Sequence, residues 1–356
     1  MQPPAIDEVV IRREGRAGRI TMNRPKALNA LTYGMVQQIW AALLDWQQDP
    51  GIGLVLLDGA GDRGLCAGGD VRSLYESRTR GFDLARAFWR EEYRLNALIG
   101  RYPKPYVAIQ DGIVMGGGIG LSAHGSHRIV TERSQLAMPE TGIGLIPDVG
   151  GTWLLGRAPG ACGVYLGLTG DPMRAADAIY AGFSDAVVPV ANLPALVARL
   201  CDPAGGAVAE VIAGAAETAG ASELQSREGD IDRAFASADV EGIVAALTAM
   251  PGEWAAKTVA TLLQKSPKAL KLTLAAVRQA RQLPALEAAL AVEFRLVARL
   301  FEDGEFPEGV RALIIDKDRK PRWSPPDIAA VTPDLVARYL APLPPAEELT
   351  FPELPS

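Results

Sequence analysis

The chain has 356 residues, 48% hydrophobic and 22% charged, with a net charge of −6; this is ample core for one large domain or two modest ones, and too acidic for a phosphate-backbone binder. Cys66, Cys162 and Cys201 are widely separated, and His124 and His127 are the only histidines, so no disulfide scaffold, zinc site or other metal centre is expected. The opening residues lack a leader-like apolar run, and no stretch approaches the roughly 20 apolar residues of a membrane span; the expected setting is cytoplasmic, with no nucleic-acid or membrane partner.

Val9-Val10-Ile11 and Arg19-Ile20-Thr21-Met22 flank a Gly-containing turn and predict a hairpin over 8–22. Thr32 caps a helix in which Met35, Val36, Ile39, Trp40, Leu43 and Leu44 recur at helical spacing, and Asp49-Pro50-Gly51 ends it. Leu54-Val55-Leu56-Leu57 and Tyr106-Val107-Ala108-Ile109 are uninterrupted apolar runs suited to strands buried on both faces. Between them a helix is predicted over 83–100, with Leu84, Phe88, Leu95 and Leu98 on one face and Glu91-Glu92 as a solvated charged pair. A Gly-rich turn, a short helix and strands near 127–131 and 135–138 follow. This alternation predicts an α/β layered domain over 1–204. From 205 to 340 the chain is rich in Ala, Leu and Glu without a convincing strand and is expected to be helical. Leu283-Pro284 interrupts that region before a stripe of Leu286, Leu290, Phe294 and Val297. Residues 341–356 carry five prolines and are expected to lie as an extended tail.

Three stretches carry chemistry. Leu65-Cys66-Ala67-Gly68-Gly69-Asp70 follows a strand, and its small residues let backbone N–H groups approach a ligand, although a tight turn explains them equally. Cys66 has no histidine near it in sequence and reads as a buried thiol. Met115-Gly116-Gly117-Gly118-Ile119-Gly120-Leu121 leads three glycines into a helix, where unpaired N–H groups suit a developing negative charge. Two separate loops each offering a donor are what a thioester oxygen needs as it becomes an oxyanion. In Met138 through Gly151, Glu140 and Asp148 stand among apolar and small residues, and burial makes such carboxylates usable as acids or bases near neutral pH. Asp148 is equally readable as a turn former. His124 and His127 read as structural, and Ser122 and Ser126 lack the G-x-S-x-G elbow of an acyl-enzyme.

Together with Asn23-Arg24-Pro25-Lys26-Ala27-Leu28-Asn29-Ala30-Leu31, these stretches resemble the enoyl-CoA hydratase/isomerase (crotonase) superfamily over at least residues 8–200. The resemblance implies a ClpP/crotonase-like spiral of ββα repeats with a helical carboxyl-terminal region. Within the superfamily the chain is most similar to the 3-hydroxyisobutyryl-CoA hydrolase branch. That likeness is carried by Tyr102 through Ala108, Met115 through Gly125, Pro139 through Gly151 and, far downstream, Glu308 through Asp318. It implies an acyl-CoA substrate, with coenzyme A arriving as part of that substrate and no separate cofactor. It also implies an oxyanion hole from the N–H groups of Ala67 and Gly117, a catalytic Glu140, and substrate contacts from Glu92, Gly116, Gly68 and Asp70. Hydratases carry a second glutamate where this chain has Gly120, and typically a glycine where it has Asp148; the hydrolases carry Asp there. The expected activity is therefore hydrolysis of a short 3-hydroxyacyl-CoA, with the 3-hydroxyisobutyryl ester of valine breakdown implied. Glu140 would attack directly or activate water, and Asp148 would hold the 3-hydroxyl or protonate the departing thiolate. Hydration or isomerisation of enoyl-CoA and a non-catalytic interaction module are the alternatives. Homo-oligomers are common in the superfamily, which leaves the oligomeric state open.

Overall fold

A computed structural model describes residues 7–352. The expected hairpin is β1 (Val9–Glu14) and β2 (Ala17–Met22), paired antiparallel across the turn at Gly15-Arg16. Thr32 takes the Met35 N–H on its hydroxyl and starts α1 (Tyr33–Gln48), where Trp40 and Leu44 fall at the half-exposed margin of the buried face. Then come β3 (Leu54–Gly59), α2 (Val71–Ser77) and α3 (Asp83–Gly100), the last with the boundaries its periodicity predicts. Phe88, Leu95 and Leu98 are buried on α3, whereas Leu84 is exposed. The middle of the chain forms β4 (Tyr106–Gln110), β5 (Ile113–Met115), α4 (Gly117–Ser122), β6 (His127–Val130), β7 (Gln135–Ala137), α5 (Gly151–Arg157) and β8 (Ala186–Val187).

A six-stranded sheet runs β1-β2-β3-β4-β6-β8, parallel at every pair except the first. A smaller layer holds β5 and β7, extended by bridges from Gly64 and Cys66 to Gly112 and Val114 and from Leu136 to Met173. Each turn of the chain adds one strand to the large sheet, a stretch to the small layer and then a helix, which is the ββα spiral the resemblance implies. On β3, Val55 and Leu57 join the main core with α1 and α3, while Leu54 and Leu56 face Leu196, Leu200 and Val211 in a second core. Alternate residues point to opposite faces and both faces are covered, so the strand shows no polar alternation.

From Val208 onward the described elements are helical. The main core nevertheless runs unbroken from Val9 to Leu349, so the compositional change near residue 204 marks the end of the sheet and no break in packing. The stripe beyond Leu283-Pro284 is the helix Leu286–Glu302, with Leu290, Phe294 and Val297 buried. The proline-rich end does not hang free. As far as Pro352 it is strapped along α3: Arg90 donates to the carbonyls of Glu347 and Glu348 at 2.8 Å each, Arg94 to that of Thr350 and Arg101 to that of Pro352 at 2.9 Å each. Residues 353–356 lie outside the described residues. Among the described residues no helix is long and apolar enough to cross a membrane.

Candidate active site

The amino-terminal motif at 23–31 scaffolds the first glycine loop. Ala67 N–H donates to Leu28 O at 3.0 Å, Leu31 N–H to Gly68 O at 2.9 Å and Asp70 N–H to Leu31 O at 2.9 Å. The expectation that Ala67 supplies an oxyanion donor is corrected by this pattern, because its hydrogen is already bonded to Leu28. The alternation of a bridge leaves the intervening Gly69 N–H without an acceptor among the described residues. Gly69 N lies 3.4 Å from where a Cβ on Gly117 would be, so it faces the second loop. Gly117 opens α4 and its N–H likewise has no acceptor among the described residues, as expected for a first-turn residue. The structure thus brings together a donor pair at Gly69 and Gly117, one from each loop.

Glycine is required in both loops for steric reasons. Gly68 sits at φ +111 and Gly116 at φ +48. A Cβ on Gly117 would stand 2.6 Å from Glu92 Oε1, and one on Gly116 3.1 Å from Glu140 Oε1. Both glycines line a cavity of about 230 Å³ together with Gly68, Glu92, Glu140 and Asp148. Phe88, Trp89, Leu145 and Phe306 make its apolar walls, and Ile314 contributes from the distant 308–318 motif. That motif reaches the site because Gly309 packs against the turn carrying Glu140, where a Cβ would be 2.2 Å from Ile143 O. Asp70 is placed elsewhere. Its carboxylate pairs with Arg24 at 3.0 Å and caps α2 by accepting the Ser73 N–H, outside the cavity lining.

Glu92, Glu140 and Asp148 are each about 95% buried or more. Glu92 is therefore not the solvated residue its place beside Glu91 predicts; Glu91 pairs with Arg94 while Glu92 turns inward. Among the described residues Glu92 Oε1 and Glu140 Oε2 have no hydrogen-bond partner, and Asp148 Oδ2 accepts the Tyr93 hydroxyl at 2.6 Å. Burial, reinforced by the Asp148 charge, holds the Glu92 and Glu140 carboxyls well above the usual carboxylate range. Burial also raises Asp148, to about 6, with the Tyr93 hydrogen bond limiting the rise. The three carboxyls share one desolvated cavity, so the charge on any one raises the cost of ionising its neighbours and their protonation is coupled.

The other candidates resolve as structural groups. Burial pushes the Cys66 thiol up to about 12 and removes it as a nucleophile. His124 Nε2 lies 2.8 Å from Val149 O, and burial lowers its pKa to about 4. His127 meets Ser126 at 2.9 Å. Among the described residues no cluster of His, Cys, Asp and Glu is arranged to hold a metal ion. Sequence reasoning missed Tyr93 and Glu293. Tyr93 carries no signal of its own. Glu293 could have been found as a carboxylate on the apolar face of the helix it shares with Leu290, Phe294 and Val297.

Fold and site together define the crotonase class of acyl-CoA enzyme. The chain belongs to the enoyl-CoA hydratase/isomerase family, which it matches over residues 17–340. It is 40% identical over 351 residues to a Danio rerio protein named 3-hydroxyisobutyryl-CoA hydrolase, mitochondrial, covering 96% of this chain and 92% of that one. A Dictyostelium discoideum protein of the same name is 37% identical over 359 residues, covering 97% and 94%. Among solved structures, one described as a carnitinyl-CoA dehydratase from Mycobacterium thermoresistibile superimposes with a TM-score of 0.92 at 45% identity, covering 97% and 99%. One described as an enoyl-CoA hydratase from Rhodobacter sphaeroides gives 0.91 at 46%, covering 97% and 100%.

Proposed function

We propose that the chain hydrolyses a short 3-hydroxyacyl-CoA, with 3-hydroxyisobutyryl-CoA as substrate, giving 3-hydroxyisobutyrate and coenzyme A, a step of valine breakdown. The observation that carries this reading is Asp148 beside Glu140 in a cavity where position 120 cannot bear a side chain. Addition of water by two glutamates needs a carboxylate at 120, but a Cβ there would stand 2.7 Å from Val149 Cβ and 2.8 Å from Asn96 Nδ2. The relatives named as hydrolases support the same choice. The two solved neighbours are described by hydration chemistry, and Gly120 with Asp148 favours hydrolysis over it for this chain.

In this reading the thioester oxygen sits between the Gly69 and Gly117 N–H groups, and losing one such donor costs about 3 kcal/mol of barrier. Glu140 attacks the carbonyl to form a mixed anhydride, or takes a proton from the water that attacks. On either route the tetrahedral centre collapses with cleavage of the C–S bond, and the thiolate takes up a proton. On the anhydride route water then attacks the acyl-Glu140 anhydride, releasing the acid and restoring the Glu140 carboxylate. Asp148 supplies the thiolate's proton or holds the 3-hydroxyl, and Glu92 orients the acyl group. A cavity of about 230 Å³ is smaller than the pockets that enclose drug-sized ligands, which favours acyl groups of a few carbons.

Thiol release from 3-hydroxyisobutyryl-CoA, isobutyryl-CoA and crotonyl-CoA tests the proposal. Release is expected fastest from the first, and Glu140→Gln is expected to slow it by about 10³-fold. Water addition to crotonyl-CoA without thiol release would sink the reading. Placement in the cytoplasm is also proposed. The buried free thiols of Cys66, Cys162 and Cys201 fit a reducing compartment, and the relatives above carry the label mitochondrial.

A further inference from the structure

Asp148 reaches the cavity from a bend that a β-branched residue adopts only under constraint. Val149 has φ +53 and Gly150 follows at φ +79. Two buried side chains from elsewhere in the chain grip this bend. His124, just beyond α4, lies with Nε2 2.8 Å from Val149 O. A carbonyl only accepts, so this nitrogen carries the hydrogen. Glu293, fully buried on the helix Leu286–Glu302, accepts the Gly150 N–H at 2.7 Å, the Thr152 N–H at 2.9 Å and the Thr152 hydroxyl. A carboxylate in an apolar core is costly unless its oxygens are paired. Its hydrogen-bond partners among the described residues all belong to this one segment. The grip is tight: a Cβ on Gly150 would fall 2.5 Å from His124 Nε2. The bend also fixes the aspartate itself, since Gly151 N–H donates to Asp148 O at 2.6 Å while Tyr93 holds the carboxylate.

We propose that Glu293 and His124 are positioning residues, which lock Val149 in its left-handed conformation and so aim the Asp148 carboxylate at the acyl group. The role given to Asp148 rests on the hydrolase reading above; the grip on the bend does not. A glutamate from the carboxyl-terminal helical region thereby becomes part of the catalytic arrangement without touching substrate.

A double-mutant cycle on thiol release from 3-hydroxyisobutyryl-CoA tests this, using Glu293→Gln, His124→Leu, Asp148→Asn and the doubles carrying Asp148→Asn. Positioning predicts kcat lower by about 10- to 100-fold in each of the first two, with KM within about threefold. The doubles are expected to be no slower than Asp148→Asn alone, because the bend then has no carboxylate to aim. Losses that multiply in the doubles, or wild-type kcat in both single variants, overturn the proposal. His124→Leu carries the test if Glu293→Gln does not fold, and failure of both to fold counts for a purely structural role. A crystal structure of a folded single variant gives a readout independent of turnover: Val149 is expected to leave the left-handed region, and an unmoved bend overturns the proposal. Wild-type enzyme that releases no thiol would sink the hydrolase reading instead, and the crystallographic comparison would still decide the grip.

Discussion

Asp148 is held at a cost that can be read from outside the active site. Burial lifts its pKa from 3.8 to about 6, and two units correspond to about 3 kcal/mol. A raised carboxyl favours the folded state fully below its unfolded pKa, and that contribution is lost as pH rises through the folded value. Asp148→Asn has no such titration. Its Tm should therefore gain on the wild type as pH rises from about 4 to about 7, checked by thermal melts at several pH values; parallel curves would refute burial as the cause. Glu140 was legible as an individual residue because a glutamate directly after a proline in an apolar, glycine-rich segment has few other uses, whereas Asp148 could equally have been a turn former. Glu92 was not legible. Whether a glutamate on an amphipathic helix faces water or a cavity depends on helix rotation to within one residue, and Glu91 beside it takes the solvent position.

At the scale of elements, the stretch 23–31 holds a loop nearly 40 residues away, and Asn29 is its pin. Its side chain accepts the Arg24 N–H at 2.8 Å and donates to Ala60 O at 3.0 Å and Gly64 O at 2.9 Å, from a buried position at φ +55. Asn29→Ala leaves those groups unpaired and loses the tolerance of asparagine for the left-handed conformation, a cost of about 3 kcal/mol. Guanidinium unfolding should show that loss, and thiol release should fall with it as the Gly69 N–H loses its fixed direction. An unchanged midpoint would mean that the loop is held by its backbone pairing alone. The motif was recognisable in sequence, but its job was not. Which N–H of the 65–70 loop remains available depends on strand register between distant segments, and a shift of two residues separates Ala67, which is bonded, from Gly69, which is not. Most strands and helices between 8 and 138 were legible because their periodicities are local, whereas α2, α5 and β8 had no reading, being too short to show a period.

For the molecule as a whole, the carboxyl-terminal region closes the site. Phe306 and Ile314 wall the cavity, and the strap beyond residue 340 lies along α3, whose other side presents Glu92 and Tyr93. Truncation after Leu340 exposes Leu349, buried at 6% accessibility, and releases the backbone bonds to Arg90, Arg94 and Arg101. The expected loss is about 3 kcal/mol, or about 4 °C in Tm for a chain of this length, measured by scanning calorimetry. A truncated chain with an unshifted Tm would show the strap to be idle. Composition indicated helices after residue 204 and an extended end. It could not indicate that they complete the site, since packing between distant segments leaves no periodic mark.

Glu293 closes its grip on the 150–152 segment from some 145 residues downstream of Asp148, and on the ribosome that separation is a delay. At ordinary rates of synthesis it lasts roughly 7–30 s. During that interval the loop bearing Asp148 has been made, but the helix that buries and orients it has not. The carboxylates remain hydrated and ordinarily acidic, so a nascent chain carries the cavity's acidic residues without their raised pKa values. The burial that raises those pKa values comes late, once the helix Leu286–Glu302 has been made and can dock.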